Sequence, residues 1–178
     1  MDKSSEHPEM ARDLKEKAKH GDALFPLERY TTLLSPLIPE FSIHWHPEME
    51  FTWIQKGQAA YSIDFQEYPA AQGDFICIQP GILHSAKIPF RGAMVSDSFV
   101  FDLNFLGSSS TDICTLRYLS PLMDGSLKLP PVITRDDEHY PKIMKAFTAL
   151  SRIHSQKQLG YELEVKALLL YLLNLLIT

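Results

Sequence analysis

The chain has 178 residues, 45% of them hydrophobic, and a formal net charge of -5. Such a length and apolar content suit one domain with a real core, and the acidic balance excludes a surface that grips a phosphate backbone through clustered Lys and Arg. Cys77 and Cys114 have no metal or redox spacing, so the expected setting is a reducing cytoplasm, with both read as small buried apolar residues. The N-terminus lacks the apolar core of a signal peptide and no apolar run reaches spanning length, so neither secretion nor a membrane is expected.

Residues 1–24 are mostly polar. Glu9 to His20 are good helix formers with only Met10, Leu14 and Ala18 as a weak i, i+4 stripe, which predicts a solvated helical arm ended by Gly21-Asp22. Pro26, Pro36 and Pro39 then enforce extended chain and short edge strands. From Phe41 to Ile88 apolar stretches alternate with turn residues in an all-β rhythm.

The stretch His44-Trp45-His46-Pro47-Glu48-Met49-Glu50 carries the densest chemistry. On a strand His44 and His46 share a face with Cβ atoms about 6.6 Å apart, close enough for two imidazoles to converge. Glu50 would lie roughly 13 Å beyond His46 on an uninterrupted strand. A turn at Pro47 is therefore expected, with Glu50 returning beside the histidines on an antiparallel partner. Met49 to Gln55 should end in a hairpin turn at Lys56-Gly57-Gln58. Ala59 to Phe65 follows with Tyr61, Ile63 and Phe65 on one face. Gly73-Asp74 enters a strand containing Phe75, Ile76 and Ile78, covered on both faces, and Pro80-Gly81 turns into a strand carrying His84. Ala93 to Leu103 is a further strand, and strands in this number point to a closed double sheet.

Beyond Gly107, Ser108 to Asp112 offer N-caps for a short helix over Ile113 to Leu119, and Leu127 to Val132 reads as a final strand. A longer helix carries Tyr140, Ile143, Met144, Phe147, Leu150 and Ile153 at helical spacing, with Pro141 in its first turn and His139 and His154 near the surface. The last helix, Tyr161 to Ile177, has two apolar seams: Val165, Leu169, Leu172 and Leu176, and Leu168, Tyr171 and Leu175. A helix apolar on two sides is buried on two sides, either wholly within its own domain or partly against another copy. The expected organisation is an arm over 1–24, a barrel over 25–133 and a helix pair over 134–178, mainly β with C-terminal helices.

The pattern His44, His46, Glu50 and Gly57, then Gly73-Asp74, Gln79-Pro80-Gly81 and His84, resembles the two motifs of the cupin superfamily. Ile38, Gln79 and Ile88 depart from it, standing where glycine, proline and asparagine are usual. The phrases HWHPEMEFTWIQKG, GDFICIQPGILHSA, FDLNFL and YLSPLMDGSLKLP resemble the effector-binding and dimerisation half of bacterial AraC-type transcription regulators, from about Phe25 to the last residue. This resemblance implies a cupin-like jelly-roll barrel followed by an antiparallel helix pair, acting as a non-enzymatic sensor. His44, His46, Glu50 and His84 would hold one divalent metal (Zn, Ni, Mn or Fe) or form a hydrogen-bonded polar cluster. Trp45, Trp53, Tyr61, Phe65 and Phe75 would line a pocket for a sugar or other small polar metabolite. Val165, Leu168, Leu169, Leu172 and Leu176 would join a homodimer. DNA would be met only through a helix-turn-helix domain that does not follow here, the uncapped end at Thr178 reading as an interrupted longer protein. The alternative is a metal-dependent cupin enzyme of oxygenase, isomerase or decarboxylase type.

Overall fold

The computed structural model describes residues 14–107 and 112–178. Among the described residues seven strands come first, β1 (Leu27–Leu34), β2 (Glu40–His44), β3 (Met49–Ile63), β4 (Gln66–Ala71), β5 (Phe75–Ile78), β6 (His84–Lys87) and β7 (Met94–Phe101), and a short β8 (Val132–Ile133) follows the first α-helix. A π-helical turn at Thr115–Leu119 runs into α1 (Ser120–Met123), followed by α2 (Tyr140–Gln156) and α3 (Tyr161–Ile177). All strand pairings are antiparallel. The first sheet runs β1-β7-β3-β5-β8, the second is β2-β6-β3-β4, and β3 belongs to both.

That double membership corrects one expectation. Lys56-Gly57-Gln58 is not a hairpin turn, because β3 passes straight through it. Instead the register against β7 slips between Ile54 and Lys56, a bulge, with Gly57 at φ 77°. Ala93's carbonyl oxygen lies 1.8 Å from where a Cβ on Gly57 would stand, so only glycine fits. The extra residue also switches the inward parity of the strand. Before it Glu50, Thr52 and Ile54 face the barrel interior, and after it Ala59, Tyr61 and Ile63 do.

Two cores result. Inside the barrel lie Leu34, Ile54, Tyr61, Ile63, Ile76, Ile78 and Met94. The outer face of the first sheet, with Phe51, Phe75, Phe99 and Phe101, packs against the helices through Phe147, Leu150, Val165 and Leu169. Phe75 and Cys77 therefore face helices while Ile76 and Ile78 face the interior, the two-sided covering expected of β5. The true tight hairpin joins β3 to β4, where Asp64 and Phe65 have φ of 50° and 62°, both positive as a type I′ turn requires. Arg29 on β1 grips buried Asp97 on β7 with two charge-assisted hydrogen bonds of 2.8 and 2.6 Å. The same guanidinium donates to the Ser151 carbonyl and the Ser155 hydroxyl, tying α2 to the sheet.

Several other expectations change. Residues 14–20, part of the expected helical arm, are not helical: Lys15 bridges Trp45, with Glu16 N–H donating to the Trp45 carbonyl at 2.9 Å. Backbone pairing to the end of β2 wins over a weak helical propensity that had no apolar face to bury. Residues 1–13 lie outside the described residues, as do Ser108 to Thr111; Asp112 caps the helical segment by accepting from the Cys114 and Thr115 amides. That segment continues past Leu119 to Met123, with its π turn just before Pro121, whose missing N–H and bulky ring disturb the preceding turn. The last strand is only Val132–Ile133, on β5. Cys77 is buried as expected but Cys114 is exposed. On α3, Val165, Leu169, Leu172 and Leu176 are buried in the chain's own core and Leu168 packs against it, so these residues are not an outward dimer seam. The helix presents Leu163, Leu170 and Tyr171 to solvent instead: the core takes the whole first seam and, of the second, Leu168 and Leu175 but not Tyr171.

Candidate functional site

Pro47 does turn the chain, but into the other sheet. β2 pairs with β6, whereas β3 starts in the first sheet beside β5 and β7. Glu50 therefore does not return as the neighbour of β2 and faces the histidines across the barrel interior. His84 stands opposite His44 in the β2–β6 register, and the ring centroids of these two are 4.3 Å apart. The Pro80-Gly81 turn is tied to the site directly: Gly81 N–H donates to the His46 carbonyl at 2.8 Å. Gln79, the departure from proline, is buried, and its amide donates to the Leu127 carbonyl and accepts from Leu129 N–H, both at 2.8 Å. It thereby holds the segment leading to β8, which a proline there would not do.

The three ligand nitrogens of His44, His46 and His84 lie within 4.8 Å of one another. Each imidazole is anchored at Nδ1 to a backbone carbonyl two residues away: His44 to Ser42 at 2.9 Å, His46 to Glu48 at 3.1 Å, His84 to Ile82 at 2.9 Å. A carbonyl oxygen only accepts, so Nδ1 carries the proton in all three, leaving Nε2 as the site for a lone pair, a second proton or a metal. Glu50 sits against two of these nitrogens, its Oε2 3.3 Å from His46 Nε2 and 3.7 Å from His84 Nε2. Thr52 Oγ donates to Glu50 Oε1 at 2.7 Å and is linked to the Ser98 hydroxyl at 2.6 Å, so the carboxylate's second oxygen is held toward the histidines.

The electrostatics follow from burial and this geometry. Burial favours a neutral Glu50, but the hydrogen bond from His46 and the charges of His84 and His46 prevail and bring its pKa down to about 2. Burial lowers the pKa of His46, yet the Glu50 hydrogen bond and charge, with Glu16 and Glu48 nearby, raise it overall. For His84 burial wins, and only part is offset by Glu50, so its pKa falls to about 4. His84 Nε2 is buried without any hydrogen-bond partner, a costly arrangement for a polar atom and one that a coordinated cation would relieve.

Those nitrogens fit a divalent ion. Two ligands each about 2.1 Å from one ion lie at most about 4.2 Å apart, so small shifts of the imidazoles suffice. Carbonyl anchors at Nδ1 are the outer contacts that orient metal-bound histidines. The cluster opens into a cavity of about 240 Å³ lined also by Tyr30, Thr31, Thr32, Phe41 and Ser98. Glu16 and His20, which also line it, were not anticipated from the sequence. They lie some thirty residues from the motif, and no spacing rule connects them to it.

The aromatic residues expected to line a pocket divide differently. Tyr61 is buried in the barrel interior, its ring 6.0 Å from Phe41, which itself lines the histidine cavity. Trp53 and Phe75 face the helices on the opposite parity, against Phe147. Trp45 lies under Lys15 at the barrel end, and Phe65 is exposed at its turn. Phe65 does border a larger groove of about 940 Å³ along the second sheet, lined also by Ala60, Ser62, Pro69 and Ser85. That groove exceeds the histidine cavity in volume but gathers no convergent ligand set, so the chemistry is placed in the smaller one.

A family model described as the AraC-like ligand binding domain matches residues 39–173. An uncharacterized HTH-type transcriptional regulator, YdeC of Bacillus subtilis, is 26% identical over 162 residues, covering 86% of this chain and 52% of that protein. The chain thus spans about half the length of that relative. Among solved structures, a cupin 2 conserved barrel domain protein from Salinispora arenicola is similar at 22% identity and a TM-score of 0.41, over 45% of this chain and 66% of that one. A cupin-like protein from Thermotoga maritima is similar at 17% identity and 0.41, over 47% and 62%.

The site sets an acid limit on the metal-free protein. Unfolded His84 takes a proton near pH 6.5 but the folded form only near 4, so between these values the unfolded state binds more protons and stability falls as pH drops. Glu50, ionised in the folded state down to about pH 2, adds a further loss below its ordinary value of 4.5. His46 has the opposite sign, contributing below pH 6.5 and losing that contribution as pH rises through its raised value. Urea unfolding after chelation should therefore show a decline on the order of 3 kcal/mol from pH 6.5 to 4. His84→Gln should flatten that slope, and an equally steep slope in the variant would assign it to other groups.

Proposed function

The chain belongs to the family of AraC-like ligand-binding domains, and from that premise we propose that it is the effector-sensing and dimerising part of a bacterial transcription regulator, the barrel over 25–133 binding a small molecule and the helix pair over 134–178 joining two copies. DNA recognition falls to another domain of the whole protein, in keeping with the chain's alignment to about half of an HTH-type regulator and its acidic balance. The observation that carries the binding half of this reading is the convergence of three carbonyl-anchored histidines and Glu50 on one interior cavity. His44, His46, His84 and Glu50 would hold one divalent ion there, and the ion would supply a Lewis-acidic contact for the effector's oxygen atoms.

The cavity lining also speaks to the effector. Tyr30, Thr31, Thr32 and Ser98 offer hydroxyls, Glu16 and Glu50 offer carboxylates, and no Lys or Arg is among the lining residues. A divalent charge would be balanced by the two carboxylates, leaving no cationic excess for an organic acid. The class that fits is small, neutral and hydroxylated, a sugar or polyol.

For assembly the candidate surface moves to the exposed side of α3. Leu163, Ala167, Leu170, Tyr171 and Asn174 follow a 4-3-1-3 spacing that keeps them on one face. Tyr118, exposed beside it, and Ile177 border a small apolar groove with Leu170 and Asn174. A second copy of the chain would cover this stripe.

Elemental analysis of untagged protein should find one divalent ion per chain, lost in His46→Ala and in Glu50→Ala; a parent without stoichiometric metal would leave the four residues as pocket lining. In thermal-shift titrations of the metal-loaded protein, sugars or polyols should raise the Tm and organic acids should not. A response confined to acids would overturn the effector class. Light scattering should report twice the chain mass, and Leu170→Glu combined with Tyr171→Glu should halve it with the urea midpoint unchanged. Leu172→Ala should instead leave assembly intact while costing about 2–5 kcal/mol of folding stability, since it opens a core cavity.

A further inference from the structure

A non-helical segment, residues 14–20, reaches into the histidine site from outside the motif. It is held to the end of β2 by two backbone hydrogen bonds, Glu16 N–H to the Trp45 carbonyl at 2.9 Å and Trp45 N–H to the Leu14 carbonyl at 3.1 Å. The Lys15 ammonium lies 5.4 Å from the Trp45 ring centroid. These contacts set Glu16 beside His44, one residue before the bridge partner, with Glu16 Oε2 3.7 Å from His44 Nε2. That nitrogen is the one left free by the Ser42 anchor. His20, four residues on, is buried; its Nδ1 meets the Tyr30 hydroxyl at 2.8 Å and its ring stands edge-on to His46 at 5.5 Å. His20 Nε2 makes no hydrogen bond and has Glu16 Oε2 3.4 Å away.

Glu50 contacts His46 and His84 and leaves the His44 side of the triad without a carboxylate from the barrel. Glu16 occupies that side. Its distance to His44 Nε2 equals that from Glu50 to His84 Nε2, and both are within the span of two ligands around one ion. We propose that Glu16 is a further ligand of the ion held by His44, His46, His84 and Glu50, with His20 positioning its carboxylate. This rests on the metal reading above. A second carboxylate also neutralises the divalent charge, and Glu16 and His20 both line the cavity.

Zinc alone is the probe, titrated calorimetrically into chelator-treated, untagged protein, with hydrogen exchange measured at the Glu16 and Trp45 amides. Glu16→Gln should weaken zinc binding by about 10-fold or more, the size of effect expected for loss of one supporting group. Zinc should slow exchange at both amides in the parent and not in Glu16→Gln. Glu16 is about one-third exposed, and the metal-free variant should keep the parent's urea midpoint. Glu48→Gln is the charge-matched comparison, since Glu48 Oε2 lies 3.8 Å from His46 Nδ1, the nitrogen that points away from the ion. It should weaken zinc binding far less. Equal weakening in both variants would reduce the role of Glu16 to long-range charge and overturn the proposal. So would a Glu16→Gln protein that binds zinc like the parent, which overturns this inference alone. A parent that binds no zinc overturns the metal reading along with it.

Discussion

The structure depends on a single strand serving two sheets. β3 pairs with β5 and β7 over its first half and with β4 and β6 over its second, and the bulge at Gly57 is where it turns the corner. Since side chains alternate with period two, one extra residue exchanges which parity faces inward. Glu50 and Thr52 thus face the same interior as Tyr61 and Ile63, although an unbroken alternation would set the two pairs on opposite faces. The carboxylate and the histidines meet only because the interior is shared in this way.

Within that interior the site is organised by backbone carbonyls. Three Nδ1 anchors to backbone carbonyls give three imidazoles the same tautomer and direct their free nitrogens inward. Glu50 provides the negative charge, itself oriented by Thr52 and Ser98. Such a set is poorly satisfied without a cation. One histidine is pushed toward protonation by the carboxylate while another, at His84, is held neutral by burial and has an orphaned nitrogen.

The helices contribute on the opposite side of the first sheet. The outward residues of β3, β5 and β7, chiefly Phe51, Phe75, Phe99 and Phe101, bury against α2 and α3, and the Arg29–Asp97 pair fixes α2 in place by binding its last turns. On β7 the adjacent residues Asp97 and Ser98 face opposite ways, one gripping the helix side through Arg29 and the other joining the Thr52 hydroxyl beside the site. Barrel interior and helix pair are therefore separated by the thickness of one sheet. The remaining apolar stripe of α3, around Leu170 and Tyr171, is the part this core leaves uncovered.

By itself the sequence determined the all-β run with its closing helices, the last helix from Tyr161 to Ile177 and the glycine turns at Gly73 and Gly81, and it singled out His44, His46, Glu50 and His84 as one candidate group. These are local signals: a residue type at a fixed spacing, a cap, a period. What only tertiary structure decided is where those signals point. Gly57 reads equally as a turn or a bulge until the second sheet is present, because positive φ suits both. The α3 seams read as buried or shared until the core takes all of the first and leaves Tyr171 of the second exposed. Trp53 and Phe75 have pocket-like chemistry but the outward parity, and Glu16 and His20 reach the site through a backbone bridge to Trp45 that leaves no periodic trace in the sequence.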